Sequence, residues 1–306
     1  MKPLYVVAGP TACGKTAFAV KLAQKTDGEV VSADSMLVYR GMDIGTAKPT
    51  LAEREGVPHY MIDVAEPDEA FSAARYAEMA AAEISKIHER GKVPILTGGT
   101  GFYINAVVYG NDFNAADGAK VSASAEESEY REYLTQLARD RGAVYLHGLL
   151  RDADPDAAAS IHPHNIKRVA RALSFFRSTG KRISGHNERQ RKNTPVYDAR
   201  FIVLYAAERK IMYNRINERV TGMFEAGLAE EVRGLLDAGY HERLPSMQGI
   251  GYKETALYLR GGCTLEQAAE TIRLNTRHYA KRQLTWFRHR LPGDAAWVDI
   301  ANQLNF

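Results

Sequence analysis

Cysteine is scarce in this 306-residue chain: Cys13 and Cys263 lie far apart and outside any paired CxxC or Cys/His spacing. A disulfide framework and a zinc site of the usual pattern are thereby excluded, and a reducing, cytoplasmic setting is expected. Long apolar runs are missing too. No stretch approaches the ~20 residues of a membrane span, and Met1-Lys2-Pro3 leads into a five-residue apolar run, too short for a signal peptide. A soluble protein with no membrane partner is expected. Charge of one sign is also lacking: the net charge is only +3, so a nucleic-acid surface must be a local patch. There is neither an internal repeat nor a low-complexity tract. With 45% hydrophobic and 25% charged residues, the chain can bury a full core in one large domain or two.

Leu4 to Ala8 is a short β-rich run that ends at Gly9, the pattern of a buried strand in a parallel sheet. A helix follows with apolar Ala17, Val20, Leu22 and Ala23, and Gly28 marks its end. Strands are expected at 30–34, 59–64 and 93–97, with an alanine-rich helix from Ala73 to Arg90 before the last. This alternation implies a parallel α/β sheet. The polar stretch Asn111–Gly118 reads as a boundary. From Ser124 to Arg191 the pattern is helical and charged, and strand composition returns at Phe201–Tyr205. Residues 1–111 and 200–306 are thus read as one core and 112–199 as a helical insertion. Helices are expected at 208–226, 228–238, 249–260 and 264–290, with a closing strand at 297–300.

Gly9-Pro10-Thr11-Ala12-Cys13-Gly14-Lys15-Thr16 satisfies GxxxxGK[ST] between an expected strand and an expected helix, the context this phosphate-binding loop requires. The fold class is therefore α/β, a P-loop NTPase-like parallel sheet core with a helical insertion domain. Backbone N–H groups of such a loop face one anion, the helix N-terminus adds partial positive charge, Lys15 supplies a point charge, and Thr16 can ligate Mg²⁺. The motif does not say what the phosphate belongs to. Cys13, inside the loop, reads as a small residue facing the ligand or the sheet, with no nearby His to make it a nucleophile. Asp34, at the carboxyl end of a core strand, reads equally as a general base, a helix N-cap or a group behind Mg²⁺. His162 and His164 lack the further ligands a metal needs and read as structural or RNA-facing.

Asp34-Ser35-Met36-Leu37-Val38-Tyr39-Arg40-Gly41-Met42-Asp43-Ile44-Gly45-Thr46-Ala47-Lys48-Pro49 closely resembles the segment after the second strand of bacterial tRNA dimethylallyltransferases. Pro58-His59-Tyr60 with Asp63, Gly98–Tyr103, Ile161-His162-Pro163 with Arg168 and Arg171–Leu173, Gly249–Glu254, and Arg277 with Ala280–Arg288 resemble that family's blocks in family order. The likeness runs from Leu4 to about Val298. It departs at Cys13, where the family usually has serine, and at Met247-Gln248, where some members carry arginine.

The resemblance implies transfer of a dimethylallyl group from dimethylallyl pyrophosphate to N6 of the adenine just 3′ of the tRNA anticodon, with Mg²⁺ as cofactor. It makes Asp34 the general base, places Thr100 on the target nucleotide, and puts Lys15 and Arg215 on the pyrophosphate with the loop Gly9–Thr16. It implies tRNA contacts at Asp34, Ser35, Met36, Leu37 and Thr100, and at Arg131. Further contacts are implied at Lys167, Arg168, Val169, Ala170 and Arg171, at Gln248, Gly249, Ile250, Gly251, Tyr252 and Lys253, and at Lys281, Arg282 and Gln283. The partner is the anticodon stem-loop, and a monomer is expected. The charge pattern agrees, since residues 167–192 hold nine Lys or Arg against the single acid Glu188, which suits phosphate-backbone contact. Arg273, Arg277 and Lys281 fall at i, i+4 and i+8, a basic stripe. Three other readings are weaker. An adenylate isopentenyltransferase acting on free AMP has no need of the basic insertion. A kinase, with Asp63 as its acidic strand end, gives no role to residues 277–288. A non-catalytic RNA-binding protein does not explain an intact Lys15-Thr16 pair with Asp34.

Overall fold

The computed structural model describes residues 1–110, 125–191 and 193–301; the Asn111–Gly118 boundary, and Lys192 of the basic stretch, lie outside them. Six strands, β1 (Pro3–Ala8), β2 (Gly28–Ser32), β3 (His59–Tyr60), β4 (Val93–Gly98), β5 (Asp198–Tyr205) and β6 (Ala296–Asp299), form one sheet in the order β3-β2-β4-β1-β5-β6. Every pairing is parallel. The helices are α1 (Lys15–Thr26), α2 (Leu51–Arg54), α3 (Ala73–Glu89), α4 (Gly101–Val108), α5 (Ala125–Arg141), α6 (Ala143–Ala153) and α7 (Pro155–Ser160). They continue with α8 (Ile166–Thr179), α9 (Ile183–Arg191), α10 (Arg209–Glu225), α11 (Leu228–Asp237), α12 (Tyr252–Leu259) and α13 (Leu265–Arg290). Among the described residues no helix is long and apolar enough to cross a membrane.

The expected strand 59–64 stops at Tyr60, because Met61 and Asp63 take positive φ, 62° and 56°, where an extended chain cannot continue. The second strand likewise ends at Ser32, which leaves Asp34 in the following loop. The helix expected from 249 begins at Tyr252.

Parallel strands are buried on both faces, which requires apolar residues without alternation. β1 meets this with Leu4, Val6, Val7 and Ala8, all inaccessible to solvent. Register then decides where the chemistry lies. Ala8 pairs with Gly98 and with Val203, and Ser32 pairs with Thr97. The loops that leave β1, β2 and β4 therefore emerge side by side at one edge of the sheet. From β1 the chain crosses to β2 on one side, whereas from β4 it passes to β5 on the other, so the β1/β4 crevice is a topological switch point, where open α/β sheets bind ligands.

The chain divides into two compact units, Met1–Val108 with Pro195–Phe306, and Tyr109–Thr194. The sheet unit resumes earlier than position 200 because Val196 N–H donates to the Val108 carbonyl and Asp198 N–H to that of Lys2. The second unit is helical, with its own core around Leu134, Leu146, Leu150, Val169 and Leu173. Its best-buried polar group among the described residues is Asp154. That carboxylate caps α7 through Ala157 N–H at 3.0 Å and holds the start of α9 through Ser184 N–H at 3.0 Å and the Ser184 hydroxyl at 2.7 Å. Burial alone raises this carboxyl, but the Ser184 and Ala157 hydrogen bonds and the charge of Arg182 outweigh it and hold it below 3.8.

A carboxyl depressed in the native state contributes stability that is present above its unfolded value and lost as pH falls through its native one. Asp154→Ala is expected to cost about 1–3 kcal/mol, because three donors lose their acceptor. In denaturant titrations followed by circular dichroism, wild type is expected to lose stability more steeply than Asp154→Asn as pH drops below about 4.

Candidate active site

The loop after β1 winds through three positive-φ residues, Gly9 (151°), Ala12 (64°) and Gly14 (84°). Gly14 caps α1 in the left-handed region without a side-chain cap bond, and the first turn of α1 carries no acid. The first N–H groups of α1 are thus left to an anion, with the positive end of the helix dipole behind them. Lys15 Nζ donates to the Pro10 carbonyl at 2.7 Å, so its charge lies over the loop. Thr16 follows in the first turn and lines the same cavity. Cys13 is fully buried and packs in the sheet's core, with its Sγ accepting from Lys15 Nζ at 3.9 Å.

Two arginines of α10, one turn apart, reach this loop. Arg215 Nη1 lies 3.7 Å from where a Cβ on Gly14 would stand. Arg219, which sequence reasoning missed, donates from Nη1 to the Thr11 hydroxyl at 3.1 Å. Burial lowers its pKa, against the pull of Cys13 and Asp34, yet a guanidinium stays charged. The available signal was its i, i+4 spacing from Arg215.

Asp34 stands two residues past the end of β2 and Thr100 two past the end of β4. The backbone binds them together: Ala33 N–H donates to the Thr97 carbonyl at 2.7 Å and Thr100 N–H to that of Ala33 at 3.1 Å. Thr100 Oγ1 accepts from Ser35 N–H at 3.1 Å. Asp34 accepts Met36 N–H at 2.9 Å on one carboxylate oxygen. No helix begins there, so the N-cap reading of Asp34 is overturned. Behind it Tyr76 and Tyr103 stack at 3.9 Å, and the Tyr76 hydroxyl donates to the Ser32 carbonyl. Burial raises both phenols, and the Asp34 charge adds to it. Tyr279 of α13, also missed, is pushed up to about 12 by burial and the Asp34 charge, against hydrogen bonds with Thr100 and Gln283. It remains a neutral donor beside Asp34 and Thr100. Only its i, i−4 relation to Gln283 marked it in sequence.

The phosphate loop, Arg219, Asp34 and Tyr279 line one cavity of about 810 Å³, whereas Arg215, Thr100, Tyr76 and Tyr103 are not among its lining residues. Thr11, Lys15 and Thr16 stand on its walls with Arg219, Asp34, Ser35, Met36 and Leu37. Gln248, Gly249, Ile250 and Lys253 complete them with Tyr279 and Arg282. Lys281 is exposed. One expected RNA contact is corrected here. Tyr252 is fully buried, its hydroxyl on Glu231 at 2.7 Å. Gln283 is buried with both amide ends engaged, accepting from Thr11 N–H and donating to the Gly99 carbonyl, each at 2.9 Å. Its Nε2 would lie 2.2 Å from a Cβ at 99, which is why that position is glycine. Gly251 is also buried, its N–H held by Glu254 at 2.8 Å.

In the helical unit Lys167, Arg168 and Arg171 are exposed on α8, whereas Val169 and Ala170 face its core at 0% and 2% exposure. Those two side chains are closed to RNA, a correction that follows from helical geometry. Arg131 pairs with Glu127, which also accepts the Ser174 hydroxyl. His162 and His164 are exposed neighbours, and no cluster of three His, Cys, Asp or Glu able to hold a metal occurs among the described residues. The basic stripe on α13 is mostly spent on packing. Arg277 donates to Asn217 at 2.7 Å and lies over Tyr213, and Arg273 reaches Thr221. Asp63 pairs with the buried Lys48 rather than serving a phosphate.

The chain matches the family model described as IPP transferase over residues 37–290. A tRNA dimethylallyltransferase of Lachnoclostridium phytofermentans is 48% identical over 298 residues, 97% of this chain and 92% of that protein. Among solved structures, the full-length tRNA isopentenylpyrophosphate transferase from Bacillus halodurans superposes with a TM-score of 0.70 at 44% identity, covering 98% of this chain and 90% of that one. A eukaryotic dimethylallyltransferase acting on tRNA gives a TM-score of 0.83 at 30% identity, covering 100% of this chain and 75% of that one. The resemblance read from the blocks between Asp34 and Arg288 is borne out: the chain belongs to the IPP transferase family, among the tRNA dimethylallyltransferases.

Proposed function

We propose that this chain transfers the dimethylallyl group of dimethylallyl pyrophosphate to N6 of the adenine 3′-adjacent to the anticodon of tRNA and releases pyrophosphate. The observation that carries this reading is the convergence of a phosphate-binding loop and Asp34 on one cavity, with Thr100 hydrogen-bonded to Ser35 of its wall. Relatives named tRNA dimethylallyltransferase favour it over a transfer to free AMP.

The chemistry asks for help at both ends. An exocyclic amine delocalised into its ring is a weak nucleophile, and a pyrophosphate leaves only if its growing charge is met. On the leaving side the loop amides, Lys15, Arg215 and Arg219 meet that charge with preorganised donors, which cost no reorganisation as it develops. Mg²⁺ fits this donor set: the Thr16 hydroxyl is a hard oxygen ligand, and Mg²⁺ is usually held by few protein groups with the substrate's own phosphate oxygens. When bound it neutralises the pyrophosphate further as a Lewis acid. On the attacking side one oxygen of Asp34 is tied to Met36 N–H, and the other takes the N6 proton as the N–C bond forms and the C–O bond breaks. Tyr279 and Thr100 orient the base. The adenine must leave its stack to enter, which costs a few kcal/mol, and the exposed cations Lys167, Arg168 and Arg171 supply sequence-independent grip on the RNA.

The deciding assay offers labelled dimethylallyl pyrophosphate with tRNA, AMP and ADP side by side, with Mg²⁺ and no nucleoside triphosphate. Label is expected in tRNA alone. A requirement for ATP, or label in AMP, overturns the reading.

Asp34→Asn keeps the shape of the side chain but cannot take the proton. Single-turnover transfer is expected to fall by at least about a hundredfold while tRNA binding and melting temperature stay near wild type. Early melting with near-native turnover makes Asp34 structural instead. Neutralising Lys167, Arg168 and Arg171 together is expected to weaken all tRNA substrates alike and to flatten the slope of log affinity against log salt by up to about three. An unchanged slope removes α8 from the RNA interface.

A further inference from the structure

The backbone of residues 43–45 turns three successive N–H groups toward one point, and the carboxylate of Glu231, on α11, occupies it. Asp43 N–H at 2.9 Å and Ile44 N–H at 2.7 Å donate to one oxygen. Gly45 N–H at 3.1 Å and the Tyr252 hydroxyl at 2.7 Å donate to the other. Converging backbone N–H groups make an anion-binding nest, and here the anion is a side chain of the protein itself. All four donors are uncharged.

The two segments that meet at Glu231 are both walls of the cavity. Gly45, Thr46, Ala47 and Lys48 line it from one, and Gln248, Gly249, Ile250 and Lys253 from the other. They are also pressed together, since a Cβ on Gly45 would stand 2.6 Å from the Tyr252 ring and one on Gly251 3.7 Å from the Gly45 carbonyl oxygen. The phosphate loop is held by different groups, Gln283 and Arg219, with which Glu231 shares no hydrogen bond among the described residues. We infer that Glu231 is a positioning residue for the acceptor: by clamping residues 43–45 to Tyr252 it fixes the walls that receive the tRNA nucleotide, and it leaves the donor cradle untouched. This inference rests on the tRNA reading above.

The geometry sets the test. In Glu231→Gln the amide oxygen can keep two of the N–H groups, but the NH₂ then faces the Gly45 N–H, donor against donor, and the clamp opens on that side. Tyr252→Phe removes a single donor. Binding of the anticodon stem-loop RNA is measured first on wild type by fluorescence anisotropy, without donor. Wild type that binds no RNA overturns the tRNA reading itself and is seen before any variant is compared. With wild-type binding in hand, Glu231→Gln is expected to raise both the Kd and the KM for tRNA by roughly ten- to a hundredfold. The KM for dimethylallyl pyrophosphate is expected to stay within about twofold and the circular dichroism spectrum to stay native. Tyr252→Phe is expected to shift tRNA binding in the same direction by a smaller factor, and it carries the test if Glu231→Gln melts early. An unchanged tRNA KM in folded variants, or a donor KM that rises by the same factor, overturns the assignment, because Glu231 is then either idle or merely structural.

Discussion

One carboxamide joins three parts of the chain at the cavity. Gln283 sits on α13, accepts the Thr11 N–H of the loop after β1, and donates to the Gly99 carbonyl of the turn after β4. A buried amide that satisfies one donor and one acceptor in this way fixes two backbones at once, and neither can shift without leaving a polar group unpaired in a dry place. The glycine at 99 follows from it, because any side chain there collides with the amide nitrogen. So does the lie of α13, which must bring Tyr279 to Asp34 and Thr100 one turn before it brings Gln283 to the loops. The sheet register delivers three loop ends to one edge, and this helix sets the distances between them.

The cavity is thereby built from two separately held halves. The half at the phosphate-binding loop is cationic, with backbone N–H groups, Lys15 and Arg219, and with Arg215 close to Gly14. The half at the ends of β2 and β4 holds the Asp34 carboxylate, backed by the stacked Tyr76 and Tyr103. The proposed transfer makes opposite demands on charge in the two halves. A base must remain able to take a proton, and an arginine paired directly with it would remove that ability. Among the described residues Asp34 has a backbone N–H as its hydrogen-bond donor and no salt-bridge partner, while Arg219 satisfies itself on the Thr11 hydroxyl.

What could be read from sequence divides along the same line between local and distant contacts. The strand, loop and helix of residues 3–26 were legible because their signals are contiguous: an apolar run, a glycine, GxxxxGK[ST], then a helical period. Asp34 and Thr100 were legible as residues just beyond strand ends. Periodicity failed where it gives a helix face but not what that face meets. Arg273 and Arg277 share a side of α13, as their spacing says, yet that side packs on α10. Val169 and Ala170 were drawn into an RNA contact by continuity with Lys167 and Arg168, although a helix turns them to the core. Gln283 and Tyr252 read as contacts because they fall inside basic or glycine-rich blocks, and only the fold reveals their partners 272 and 21 residues away.

Those distant contacts have a feature in common that bears on how such a site is made. Gln283 and Glu231 both hold backbone, not side chains: together they receive Thr11, Asp43, Ile44 and Gly45 N–H groups and supply the Gly99 carbonyl with its donor. Loops near a ligand cannot satisfy their backbone within a sheet or helix, and buried backbone groups must find partners somewhere. Side chains from helices that pack behind the loops meet that need and, in doing so, convert flexible connections into fixed walls. Each such residue must reach from a rigid helix, which explains why α11 and α13, far along the chain from the phosphate-binding loop, complete a site whose reactive groups stand at the ends of β1, β2 and β4.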